Sequence, residues 1–73
     1  MTPRSAPRHE VVLNGRTVVS TAATVAALLA EQGYGGLKVA TAVNGGFVPE
    51  RARDATRLNA GDSVEVVSAR QGG

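Results

Sequence analysis

Residues 9–20 read HEVVLNGRTVVS. Two runs rich in β-branched residues flank Asn14-Gly15. A type I′ turn needs positive φ at both central residues, and Asn-Gly tolerates this well. The stretch therefore predicts a β-hairpin, with one strand over 9–14 and its return over 16–20. In the first strand Val11 and Leu13 share one face and alternate with Glu10 and Val12.

Toward the C-terminus, Thr24 precedes VAALLAEQG. Its hydroxyl can accept from the orphan N–H groups of a first helical turn. Val25, Leu28, Leu29 and Gln32 recur at helical spacing and form one stripe. Gly33 suits the left-handed position that closes a helix. The glycines at 35 and 36 then predict a loop. Residues 37–44 (LKVATAVN) read as a strand, with Val39, Thr41 and Val43 on one face and Ala40 and Ala42 on the other. A run this apolar suggests a central strand covered, at least in part, on both sides. Asn44-Gly45-Gly46 predicts a turn, and Phe47-Val48 a short extended piece stopped by Pro49. Residues 50–58 read as a turn or short helical segment. Residues 63–69 (SVEVVSA) predict the last strand, with Val64 and Val66 inward and Glu65 and Val67 outward. The expected core is Val11, Leu13, Val18, Val25, Leu28, Leu29, Leu58, Val64 and Val66.

The order is ββαβ(β)β. One helix covers one face of a sheet, so the expected class is α+β: a mixed sheet rolled around a single main helix. This order is similar to that of the ubiquitin-like β-grasp roll. The expected organisation is a disordered lead-in over 1–8, a domain over 9–69 and a flexible tail over 70–73. At 73 residues the chain holds one small domain at most.

Composition narrows the chemistry. There is no cysteine, which removes disulfides and thiolate metal ligation and fits a reducing, cytoplasmic setting. The single histidine, His9, cannot build an all-histidine metal site. The net charge of +2 is scattered, and Tyr34 and Phe47 supply the only aromatic rings, so no nucleic-acid partner is expected. No apolar run approaches the roughly 18 residues of a membrane span. A Ser–His pair would have to combine His9 with Ser20, Ser63 or Ser68, all at strand positions. Asp54 and Asp62 read as surface and turn carboxylates. The GYGG at 33–36 lacks the Lys-Ser/Thr of a phosphate loop. A domain this small is not expected to offer a pocket of several hundred Å³. No catalysis and no bound cofactor are therefore expected.

The end of the chain points elsewhere. The last strand runs into Arg70-Gln71-Gly72-Gly73. Glycines without Cβ atoms can enter a narrow channel. A terminal carboxylate is a poor electrophile until ATP converts it to an acyl-adenylate.

Five segments, in this order, carry a family resemblance: VVLNG at 11–15, TVAALLAEQGY at 24–34, VATAVNGGFVP at 39–49, LNAGDSVEVV at 58–67 and the terminal QGG. Together they resemble the ThiS sulfur carriers of thiamine thiazole biosynthesis over about residues 10–73. The resemblance implies a β-grasp fold and no catalytic residues. It implies a carboxylate at Gly73, approached through Gly72, that a ThiF-type enzyme adenylates with its own ATP. Conversion to a thiocarboxylate and delivery of sulfur to a ThiG-type thiazole synthase would follow. Val12, Val67, Arg70 and Gln71 are the residues expected to meet partners, and a monomer is expected when the protein is free. Where the family often has arginine after the Val-Pro pair, this chain has Glu50 and then Arg51. Two alternatives share the tail: a MoaD-like carrier for molybdopterin, and a ubiquitin-like modifier joined to lysines. A plain interaction domain with an inert end is the third.

Overall fold

A computed structural model describes residues 8–68. The lead-in expected over 1–8, Arg8 apart, and the tail over 70–73 lie outside the described residues. The elements run β1 (His9–Leu13), β2 (Arg16–Ser20), α1 (Val25–Glu31), β3 (Val39–Val43), β4 (Gly46–Val48), a 3-10 turn (Glu50–Ala52) and β5 (Ser63–Ser68). The strands form one sheet in the order β2-β1-β5-β3-β4. β5 pairs parallel with β1, and every other pairing is antiparallel. This is the α+β β-grasp roll that the element order predicts.

Both Asn-Gly pairs make the expected turns. Asn14 and Gly15 have φ of 51° and 84°, and Asn44 and Gly45 have 50° and 86°. Helix α1 is short, so its ends matter. Its first N–H groups are all taken. Val25 N donates to Thr56 O, Ala26 N to Arg53 O, Ala27 N to Thr24 Oγ1 and Leu28 N to Thr24 O. At the other end Gly33 takes φ of 88°. Tyr34 N then donates to Leu29 O and Gly33 N to Ala30 O, the paired bonds of a Schellman closure.

The core lies between α1 and the inner face of the sheet. Val11, Leu13, Ala22, Val25, Leu28, Leu29, Leu58, Val64 and Val66 form one buried cluster. Val18, predicted as core, is only partly buried because β2 is an edge strand. Gln32 leaves the predicted apolar stripe: it is the exposed C-cap of α1.

The strand expected over 37–44 also changes. It begins at Val39, because Leu37 N closes a turn onto Tyr34 O and leaves Leu37 exposed. Nor is β3 the central strand. That place belongs to β5, and Ala40 of β3 faces solvent because the one helix covers only the opposite face. Thr41, on the covered face, is buried; it donates to Val48 O and accepts from Arg53 Nε.

Candidate functional site

The site expected from sequence has two parts, a reactive tail and a partner surface at its root. Gly72, Gly73, Arg70 and Gln71 lie outside the described residues. The structure does describe the root. Period-two alternation puts Glu65 and Val67 of β5 on the outer face of the sheet, with Val64 and Val66 beneath α1. Val67 is 62% exposed and sits opposite Ala40 of β3. Glu65 sits opposite Ala42, and Ala42 opposite Phe47 of β4.

The outer face of β5, β3 and β4 therefore presents Val67, Ala40, Ala42 and Phe47 around the carboxylate of Glu65. Phe47 is 71% exposed, the largest apolar side chain left in solvent among the described residues. Sequence reading placed it only in a short extended piece with Val48. Its signal was the parity of its register with Ala42, which needs the sheet. Val12 shares this outer face but is half-buried and pairs with Ser63, four residues before Val67. At about 3.3 Å per residue the two valines stand roughly 13 Å apart along the strand. Val67 and Phe47 lie on this same outer face two strands apart, with Ala40, Ala42 and Glu65 between them, and Val12 lies further along it.

The approach of β5 to that root is tethered on both sides. β3 pairs it through to Val39–Ser68. On the other side the backbone register with β1 stops at Leu13–Val64. Asn14 then continues it: its N–H donates to Val64 O, its Nδ2 donates to Val66 O, and its Oδ1 accepts from Val66 N. At the start of β5, Asn44 does the same chemistry. Its N–H donates to Ser63 O and its Oδ1 accepts from Ser63 N, while its Nδ2 donates to Asp62 Oδ1. The Asn59 N–H donated to Asp62 Oδ2, the Asn44 amide and the charge of His9 together hold the Asp62 carboxyl below its ordinary range.

The Ser20–His9 pair is not set up for catalysis. His9 and Ser20 are cross-strand partners, yet the Ser20 hydroxyl donates to Glu31 Oε1 and accepts from Ala22 N. It is also buried, out of reach of a substrate. Among the described residues no group of three or more His, Asp or Glu side chains could hold a metal ion. No helix among them is long and apolar enough to cross a membrane. The structure does correct the expectation of no sizeable pocket. An open groove of about 640 Å³ lies between α1, the 34–38 loop and the 3-10 turn, lined by Leu29, Tyr34, Lys38, Arg53 and Asp54 among others. It exists because α1 ends before it can cover the start of β3. Arg53 at its wall is tied to Thr41 Oγ1 and Val39 O.

Comparison with known proteins agrees with the fold. The sequence model of the ThiS family matches residues 6–73. Among solved structures, the thiamine biosynthesis protein ThiS of Geobacter metallireducens is similar, with a TM-score of 0.73 and 28% sequence identity. The match covers 88% of this chain and 99% of that one. No curated protein matches the chain.

Proposed function

The chain belongs to the ThiS family, the sulfur carriers of thiamine biosynthesis, and from that premise we propose that it carries sulfur as a thiocarboxylate on the carboxyl carbon of Gly73. The observation that carries this reading is a family match that runs through Gly72-Gly73, on a β-grasp fold whose last described strand ends at Ser68. The protein is a co-substrate, not a catalyst, and binds no cofactor of its own.

In the proposed sequence a carboxylate oxygen of Gly73 attacks the α-phosphorus of ATP held by a ThiF-type enzyme. The bond to pyrophosphate breaks, and pyrophosphate leaves. The acyl carbon, now bonded to AMP, is electrophilic. A sulfide-equivalent nucleophile adds there, its proton passes to solvent, and AMP departs with the electrons of the C–O bond. The thiocarboxylate then supplies sulfur to a ThiG-type thiazole synthase. The use of ATP suits a cytoplasmic protein. Gly72 and Gly73 lack Cβ atoms and so suit a narrow active-site channel, and Arg70 and Gln71 are the neighbouring residues proposed to meet the partner. Val67, Phe47, Ala40 and Ala42 form the surface that docks on the adenylating enzyme; exposed apolar patches of this kind mark interfaces.

Intact-mass spectrometry of the protein isolated from its own cells tests the reading. A fraction with one carboxyl oxygen replaced by sulfur is expected. Lysine-linked adducts with an unmodified free pool would instead mark a protein modifier.

A further inference from the structure

We infer that the free edge of β2 pairs with the same edge of a second copy, joining two molecules through one continuous sheet. The inference starts from where the backbone groups of β1 point. Val12 N donates to Asp62 O, Asn14 N donates to Val64 O, and Glu10 O accepts from Gly61 N. Glu10, Val12 and Asn14 therefore turn their backbone groups toward β5, and His9, Val11 and Leu13 turn theirs toward β2. The register partners of those three are Ser20, Val18 and Arg16. Thr17 and Val19 alternate with these, so their N–H and C=O groups point away from the sheet. β2 is an edge strand, and no backbone partner answers these four groups among the described residues. The edge is also unguarded. Residues 17–20 hold no proline and no charge, and the five pairs with β1 run without a bulge. The opposite edge strand, β4, has three residues and stops at Pro49.

Self-complementarity sets the occupant. A two-fold axis through Val18, perpendicular to the sheet, pairs Thr17 of one copy with Val19 of the other, and the reverse. Each pair exchanges two N–H···O bonds, so all the outward groups are satisfied. The two Val18 side chains then face each other on the helix side. Val18 packs on the core cluster yet is only partly buried, and this contact completes its burial. The same register sets Arg16 opposite Ser20 of the second copy. Ser20 is buried, and its hydroxyl donates to Glu31 Oε1 at 2.6 Å, which holds the Glu31 carboxylate beside the end of β2. Arg16 is exposed and has no ion-pair partner among the described residues. At a cross-strand Cα spacing of about 4.5 Å its guanidinium reaches that carboxylate, and symmetry makes two such pairs. An unrelated strand could take the backbone bonds but would not bring this charge match. The face holding Val67 and Phe47 stays open, because β5 lies two strands, roughly 9.5 Å, from the edge. One strand pairing is small beside the roughly 1,200 Å² of a stable interface, so the dimer is weak, with a Kd on the order of 0.1 mM. It takes the place of the monomer expected for the free protein.

The test is sedimentation equilibrium of the full-length protein over about 1–500 µM, a range that brackets such a Kd. The mass of the wild type should rise toward twice that of one chain. Arg16→Glu and Glu31→Arg each set like charges together, so each should weaken the dimer by about tenfold or more. Both positions are exposed, and circular dichroism checks that both variants fold. Their equimolar mixture should dimerise as the wild type does, because opposite charges then meet at both ends of the pairing. Amide hydrogen exchange of the wild type decides the matter if a variant does not fold. Exchange at Thr17 and Val19 should slow as concentration rises, while that at Phe47 on the other edge stays constant. A single-chain mass at every concentration, a dimer that forms with exchange at Thr17 and Val19 unchanged, or a mixture of folded variants no more associated than its parts would each overturn the proposal. The pairing needs nothing of the tail, so loss of the dimer and loss of carrier activity are separate results.

Discussion

The Asn44 amide donates to Asp62 Oδ1 at 3.0 Å, tying the β3–β4 turn to the turn that launches β5. The other carboxylate oxygen of Asp62 accepts from Asn59 N at 2.8 Å. These bonds favour the charged carboxylate, so Asp62 ionises more readily folded than unfolded. For a lowered carboxyl, the linked stability is present above the ordinary value of 3.8 and is lost as pH falls through the lower folded value. Asp62→Asn should therefore lose a few degrees of melting temperature near neutral pH and converge on wild type in strong acid. Parallel melting curves at every pH would show that the charge of Asp62 is not linked to folding.

Leu28 is fully buried at the centre of the helix stripe. Truncating a buried leucine to alanine costs about 2–5 kcal/mol, and a domain of this size holds little more than that. Leu28→Ala should be largely unfolded at growth temperature by circular dichroism. A cooperative melt close to wild type would contradict the packing described for α1.

The outer patch can be separated from the fold. Val67 and Phe47 are exposed, so Val67→Asp and Phe47→Ala should each melt near wild type, since surface changes usually lie within about 0.5 kcal/mol. Both should weaken binding to the adenylating enzyme by about tenfold or more in calorimetry, as expected when an apolar anchor of an interface is lost. Val12→Asp, roughly 13 Å down the sheet, should weaken it less. Equal affinities for all four proteins would remove the patch from the account.

Much of this architecture was legible in the residues. Two Asn-Gly pairs predicted a hairpin and a second turn, Thr24 and Gly33 bracketed the helix, and the Val64–Val67 alternation set the inner and outer faces of β5. What was not legible was long-range. Nothing local to residues 63–68 says that they thread between β1 and β3, and nothing local to residues 39–43 demotes β3 from the centre. The side chains of Asn14 and Asn44 read as turn formers, and their grip on β5 depends on a strand 52 residues away in the first case and 19 in the second. Phe47 read only as part of a short extended piece, because its exposure follows from its register with Ala42.

Gly72→Val tests the channel separately from the chemistry. The added branch leaves the Gly73 carboxylate intact and should crowd its approach. Normal folding with an exchange rate reduced by about 100-fold is expected, the loss that a misplacement near 1 Å can bring. Wild-type exchange would mean that the tail does not enter a narrow site.

The most direct test of the central claim is ATP–pyrophosphate exchange by a ThiF-type enzyme with wild-type carrier and with Gly73 deleted, circular dichroism serving as the folding control. The deletion draws the carboxylate back by one residue, roughly 3.3–3.6 Å of extended chain, while leaving the described fold in place. If Gly73 carries the reactive carboxyl, the wild type should support exchange and the folded deletion should lose it by at least about 100-fold. Full exchange by the deletion would contradict the account, because the terminal carboxylate of Gly73 would then not be the group that is activated.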